Sequence, residues 1–213
     1  MKIGVFDSGV GGLSVANAIQ AALPALEITY VEDKAHVPYG TKSPERIYGF
    51  VLPILQKLVR DGCELIVIAC NTVTTNLITQ LRRELAVPLV GMEPMVKPAA
   101  EHTKTKVIAV CATPRTLLSE RYAWLKQTYT SDVTVLEPDC SEWSSLIEAK
   151  QINERHIRAT IEPLLQQGAD VIVLGCTHYH WIEQEIKAIA AGRAEVLQPE
   201  RAVIAQLQRI ISQ

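Results

Sequence analysis

The chain is predicted to be an α/β protein built from two pseudo-symmetric parallel-sheet α/β domains. Three observations carry that expectation. Short apolar, β-branched runs are continuous rather than alternating, as strands covered on both faces must be. Amphipathic helical stretches lie between them, which makes βαβ units. The pattern also repeats along the chain. K-I-G-V-F-D-S-G-V-G-G-L from Lys2 lines up with K-V-I-A-V-C-A-T-P-R-T-L from Lys106. C-E-L-I-V-I-A-C-N-T from Cys63 lines up with A-D-V-I-V-L-G-C-T-H from Ala169 at nearly the same offset.

The strands are expected at 2–6, 27–31, 64–69, 88–91, 106–110, 132–136, 170–174 and 195–197. The clearest helix between them is marked by Ile47, Phe50, Val51, Ile54, Leu55 and Leu58, which share one face at helical spacing. Val203, Leu207 and Ile210 mark a shorter helix at the end. No Gly-, Ser- or Pro-rich linker separates the halves. The expected division is residues 1–93 plus 193–213 for the first domain and 94–192 for the second. The crossings then fall near Glu93-Pro94 and Gly192, and the final helix returns to the first half.

Composition narrows the function. At 213 residues and 48% hydrophobic content, the chain can bury enough surface to exclude disorder. A formal net charge of −2 supplies no basic stripe for phosphates, so nucleic acid is not an expected partner. No apolar run approaches the roughly 20 residues a bilayer demands. The N-terminus, M-K-I-G-V-F-D-S-G, lacks the apolar segment of a signal peptide, which predicts a cytoplasmic protein. The five cysteines, Cys63, Cys70, Cys111, Cys140 and Cys176, contain no CxxC pair. Odd in number and scattered, they fit a reducing compartment rather than a disulfide scaffold or a zinc site.

Two of these cysteines stand out. Cys70 and Cys176 directly follow buried strands, at the carboxyl ends where open α/β sheets bind ligands. Each precedes polar residues that open a helix, Asn71-Thr72 and Thr177-His178. A helix N-terminus is expected to lower a thiol's pKa and favour the thiolate. One such cysteine alone reads as a small buried hydrophobe. Two, facing each other about a pseudo-two-fold axis, could remove a proton from one face of a carbon and return it to the other.

Other segments converge on the same cleft. Asp7-Ser8-Gly9-Val10-Gly11-Gly12 links the first strand to a helix, and its glycines allow the backbone to approach an anion such as a carboxylate. It is neither GxGxxG nor a Walker loop, so a nucleotide site is poorly supported. Tyr39 and Gly40 end a turn-rich segment after the second strand. Thr113, Thr116 and Ser119 surround the matching loop of the second half, as helix caps or as hydroxyl donors to a substrate carboxylate.

Taken together, I-G-V-F-D-S-G-V-G-G-L-S, the P-Y-G-T-K segment, A-C-N-T, G-M-E-P, A-T-P-R-T-L-L-S and L-G-C-T-H-Y resemble the glutamate racemases of the aspartate/glutamate racemase superfamily. The motifs run in the family's order from the first strand to about Tyr179. The resemblance implies a cofactor-independent amino-acid racemase with its active site between the two domains, supplying D-glutamate for peptidoglycan. It implies Cys70 and Cys176 as the acid/base pair, Cys176 taking the proton from the L-enantiomer and Cys70 from the D-enantiomer. Asp7 and His178 would support the thiols, with Glu148 a further helper. Ser8, Tyr39, Gly40, Asn71, Thr72, Thr113 and Thr177, together with Asp7 and His178, would hold the amino acid. No metal is implied, and a homodimer is the oligomer common among such relatives.

Several positions depart from the family's pattern. His180 stands where a proline usually follows C-T-H-Y, which puts a second imidazole near the cleft mouth. Cys111 aligns with Asp7 in the duplication, as an extra cleft thiol or a packed one. L-Q-P-E near Leu197 lacks a common aspartate, and the last helical segment reads as shortened. Aspartate racemase is the nearest alternative, since one methylene separates the substrates. A catalytically silent dicarboxylate-binding relative is a second alternative, and a thiol-redox protein is disfavoured by the missing CxxC.

Overall fold

The computed structural model describes residues 1–212 and contains two four-stranded, all-parallel sheets. In the first, β1 (Lys2–Asp7) lies between β2 (Glu27–Glu32) and β3 (Leu65–Ile68), and β4 (Leu89–Gly91) is added beyond β3. In the second, β5 (Val107–Ala112) lies between β6 (Thr134–Leu136) and β7 (Val171–Gly175), with β8 (Glu195–Leu197) beyond β7. The strand orders β2-β1-β3-β4 and β6-β5-β7-β8 are the same order repeated, as the internal duplication predicts.

Each sheet is apolar on both faces because each face carries helices. Ile3, Val5, Leu65 and Val67 pack against α1 (Gly12–Ala22) and α10 (Glu200–Ile211). Phe6, Ile66 and Ile68 face α2 (Pro44–Arg60) and α3 (Asn71–Glu84). On the second sheet, Ile108, Val110, Val171 and Val173 face α4 (Val96–His102) and α6 (Glu120–Tyr129), beyond the single turn of α5 (Pro114–Leu117). Ala109, Cys111, Ile172 and Leu174 face α7 (Trp143–Glu148), α8 (Glu154–Gln166) and α9 (Glu183–Ala190). The stripe on α2 behaves as its spacing predicts: Ile47, Val51, Leu55 and Leu58 are buried, with Phe50 and Ile54 at its edges.

Helix starts follow local chemistry. Ser43 accepts from Arg46 N–H ahead of Pro44, and Thr113 accepts from Thr116 N–H ahead of Pro114. Ser119 and Asn153 cap α6 and α8 in the same way. A proline at the first helical position has no N–H to leave unpaired.

One expected boundary shifts. A return to the first half at residue 193 comes too early, because Val171, Ile172 and Val173 of β7 pair with Glu195, Val196 and Leu197 of β8. The crossing back follows Leu197, after which Val203 and Leu207 of α10 join the core beside α1. Among the described residues, no helix is long and apolar enough to cross a membrane.

Candidate active site

The carboxyl ends of β1, β3, β5 and β7 converge where the two lobes meet. Ser8, Pro38, Tyr39, Gly40, Cys70 and Asn71 line one closed cavity there, together with Thr72, Thr113, Ser144, Cys176, Thr177 and His178. It is narrow: only about 10 Å³ of it is open to the centre of a water molecule. Cys70 enters from the first lobe and Cys176 from the second, at 4% and 7% exposure.

The two thiols have different surroundings. Cys70 caps α3, and its Sγ donates to Ser8 Oγ at 3.5 Å. Burial, and next the charge of Asp7, push its pKa up to about 12 despite the Ser8 hydroxyl and the Val73 N–H. The helix N-terminus was expected to favour a thiolate here; desolvation outweighs it, and Cys70 is held as a thiol. Cys176 is followed not by an α-helix but by a 3₁₀ segment, Thr177–Ile182, so the second expected helix dipole is absent. Its Sγ lies 3.7 Å from His178 Nδ1 and 3.6 Å from Ser144 Oγ.

His178 is held at its far side by Glu148, with Nε2 2.6 Å from Oε1. Burial alone would lower the imidazole's pKa, but the contacts with Cys176 and Glu148 win and raise it to about 11. The same hydrogen bond holds the Glu148 carboxyl below its ordinary range against its partial burial. Glu148 also accepts from Val10 N–H at 3.0 Å, so a second-lobe carboxylate grips the first-lobe loop.

Asp7 is fully buried at the end of β1, where it accepts from Gly12 N–H at 2.7 Å and from the Thr177 hydroxyl at 3.2 Å. Burial raises its pKa, opposed chiefly by the charge of His178. The glycine loop owes its composition to this junction. A Cβ on Gly9 would sit 2.2 Å from Glu148 Oε1, and one on Gly11 would sit 2.6 Å from both the His178 backbone nitrogen and Thr177 Oγ1.

The remaining predicted residues surround the thiols. Thr72 and Thr113 face each other across the lobes with hydroxyls 2.9 Å apart, and Thr116 closes the group at 3.3 and 3.0 Å. A Cβ on Gly40 would meet Thr113 Cβ at 2.7 Å, which places the 39–40 loop against the second lobe. Tyr39 donates its hydroxyl proton to Asp33 at 2.6 Å and so offers the cavity only an acceptor. Asn71 is the exception to this pairing: its Oδ1 and Nδ2 are both buried without a partner. An unsatisfied amide lining a cavity marks a position for a ligand that both donates and accepts.

Cys111 is fully buried among apolar side chains of the second lobe and does not line the cavity, so it is a packed cysteine and not a cleft thiol. His180 also stands outside the cavity lining. It projects from the second lobe toward α1 and α10, its Nδ1 3.4 Å from Ser14 Oγ and 3.8 Å from Glu200 Oε1. Ser144 and Pro38 are lining residues that the sequence did not single out.

The family model for Asp/Glu/hydantoin racemases matches residues 3–207. The glutamate racemase of Ralstonia nicotianae is 41% identical over 217 residues, covering 99% of this chain and 77% of that protein. Among solved structures, Escherichia coli glutamate racemase, crystallised with L-glutamate and the activator UDP-MurNAc-Ala, superposes with a TM-score of 0.91. It is 29% identical, and the match covers 99% of this chain and 82% of that one. The Francisella tularensis glutamate racemase complex with D-glutamate has a TM-score of 0.83 at 28% identity, covering 99% and 80% of the two chains. Sequence, fold and the paired thiols point the same way, and the chain belongs to the Asp/Glu/hydantoin racemase family.

Proposed function

We propose that this protein is a glutamate racemase that interconverts L- and D-glutamate by a two-thiol acid/base mechanism, supplying D-glutamate for peptidoglycan. The observation that carries the reading is the entry of Cys70 and Cys176 into one cavity from opposite lobes, with Cys70 held as a thiol and His178 beside Cys176. Cys176, beside the His178 imidazolium, takes the α-proton from one face of the carbon. Cys70, held as a thiol, gives its proton to the opposite face, and the electron pair of the broken C–H bond passes through the carbanion to the new one. The product leaves with inverted configuration and the roles of the thiols exchanged.

The α-proton of an amino acid is a very weak acid, so the developing carbanion needs placed donors. His178, fixed by Glu148, supplies positive charge beside Cys176. Asp7 anchors Thr177 and the glycine loop. The orphaned Asn71 amide takes the substrate's polar groups, with Ser8, Thr72, Thr113 and the Tyr39-Gly40 loop around it.

The test is isotope exchange in deuterated water. Deuterium should enter the α-position of glutamate as the optical rotation decays, and a parallel run with aspartate reads the substrate preference. Cys70→Ala and Cys176→Ala should each lower kcat by at least about 100-fold while the fold persists. Retained activity in both variants would overturn the mechanism. Absence of exchange with either amino acid would leave only a binding protein.

A further inference from the structure

Cys176 has a partner that the duplication does not reveal. Ser144 lines the cavity, is nearly fully buried, and places its hydroxyl 3.6 Å from Cys176 Sγ. It sits on α7, the helix whose last residue is Glu148. Positions 144 and 148 are one helical turn apart and share a face. Cys176 and His178 are two residues apart on the opposing segment. The four side chains therefore form a continuous line of contacts: Ser144 to Cys176 at 3.6 Å, Cys176 to His178 at 3.7 Å, and His178 to Glu148 at 2.6 Å. One short helix holds both ends of it.

We propose that Ser144 is a positioning residue for the second thiol, donating its hydroxyl proton to the Cys176 thiolate. Ser8 stands at the same range from Cys70, 3.5 Å, so each thiol has one hydroxyl from its own lobe. The loops are not equivalent: Ser8 follows the central strand β1, whereas Ser144 follows the edge strand β6. Hydroxyl and imidazolium approach the same sulfur and together fix its direction, and a hydrogen bond donated to a thiolate is a charge-assisted one. The neighbouring Tyr179 hydroxyl does not compete as a donor, because its proton goes to the Cys140 carbonyl at 2.9 Å. Ser144 acts through Cys176 and not on substrate, so its loss should lower kcat with little change in KM.

This inference rests on the two-thiol reading, but the experiment separates them. Iodoacetamide alkylation of the full-length protein at neutral pH is followed by peptide mass spectrometry, which reads Cys70 and Cys176 in the same sample. In Ser144→Ala, the Cys176 rate relative to Cys70 is expected to fall about tenfold, the size of one hydrogen bond to a charged group. Ser144→Thr keeps the hydroxyl and should hold the wild-type ratio. An unchanged ratio in Ser144→Ala, or a threonine variant as depressed as the alanine one, would overturn the role of Ser144. Failure of the two-thiol reading shows elsewhere, as retained turnover in Cys176→Ala.

Discussion

Glu148 Oε1 stands 2.6 Å from His178 Nε2 and accepts the Val10 N–H at 3.0 Å through the same oxygen. One carboxylate thus orients the imidazole beside Cys176 and joins the second lobe to the glycine loop of the first. An imidazolium needs a counter-charge when buried, and here the counter-charge is also a clasp.

Glu148→Gln removes a charge that raises the His178 pKa. The imidazolium is then lost at lower pH than in the parent, where the pKa stands at about 11. The alkaline limb of the kcat/KM profile should move to lower pH. The stability effect has a definite sign. A folded pKa raised above the ordinary imidazole value of 6.5 contributes stability that is full below 6.5 and is lost as pH rises through about 11. The melting-temperature deficit of Glu148→Gln should accordingly be greatest below pH 6.5 and shrink toward pH 11. Thermal melts across that window check it, and a deficit that grows with pH contradicts the assignment.

Asn71 should separate stability from binding. Its buried amide lacks partners in the free protein, a cost of about 1–3 kcal/mol for each unsatisfied group. Asn71→Ala is expected to melt no lower than the parent while raising KM for glutamate at least about tenfold, the loss of one good hydrogen bond. Calorimetry and initial rates on one preparation test both. A lower melting temperature with unchanged KM would mean that the amide serves the fold.

How much of this was legible in the sequence depended on whether the cause was local. Cys70 and Cys176 were visible because the duplication sets both after an apolar strand next to the central one, and parallel topology fixes where such strand ends point. The P-Y-G and A-T-P segments could be placed as loops of the same edge. Cys70's high pKa was hidden, because it depends on burial beside Asp7, 63 residues earlier in the chain. Ser144 was hidden for a related reason. Its contact with Cys176 spans 32 residues and has no counterpart at the first thiol's edge strand. The boundary at 193 failed because β8 pairs over only three residues, too short a run to claim its sheet from pattern alone.

Two glycines should respond in opposite ways. Gly49 lies exposed within α2, and a Cβ there meets nothing within 4 Å. Gly49→Ala should therefore stabilise the protein by about 0.5–1 kcal/mol through reduced backbone entropy of the unfolded chain. On a chain of this size that is a rise in Tm of roughly 1–4 °C, with unchanged turnover.

Gly11 has ordinary helical dihedrals, φ −57° and ψ −40°, so alanine causes no backbone strain there. The conflict is spatial. The added carbon would meet the His178 backbone nitrogen at 2.6 Å, and a backbone atom fixed by its own 3₁₀ turn cannot swing aside as a side chain would. The lobes must separate by a few tenths of an ångström or more, and the displacement falls on the segment that carries Cys176 and His178. A misplacement near 1 Å of reacting groups costs on the order of 100-fold in rate. Gly11→Ala should lower kcat by at least about tenfold, leaving far-ultraviolet circular dichroism unchanged, since both sheets and their cores lie away from the contact. Parent-like turnover in Gly11→Ala would mean that the closed junction of the two lobes is not the geometry in which the proton moves.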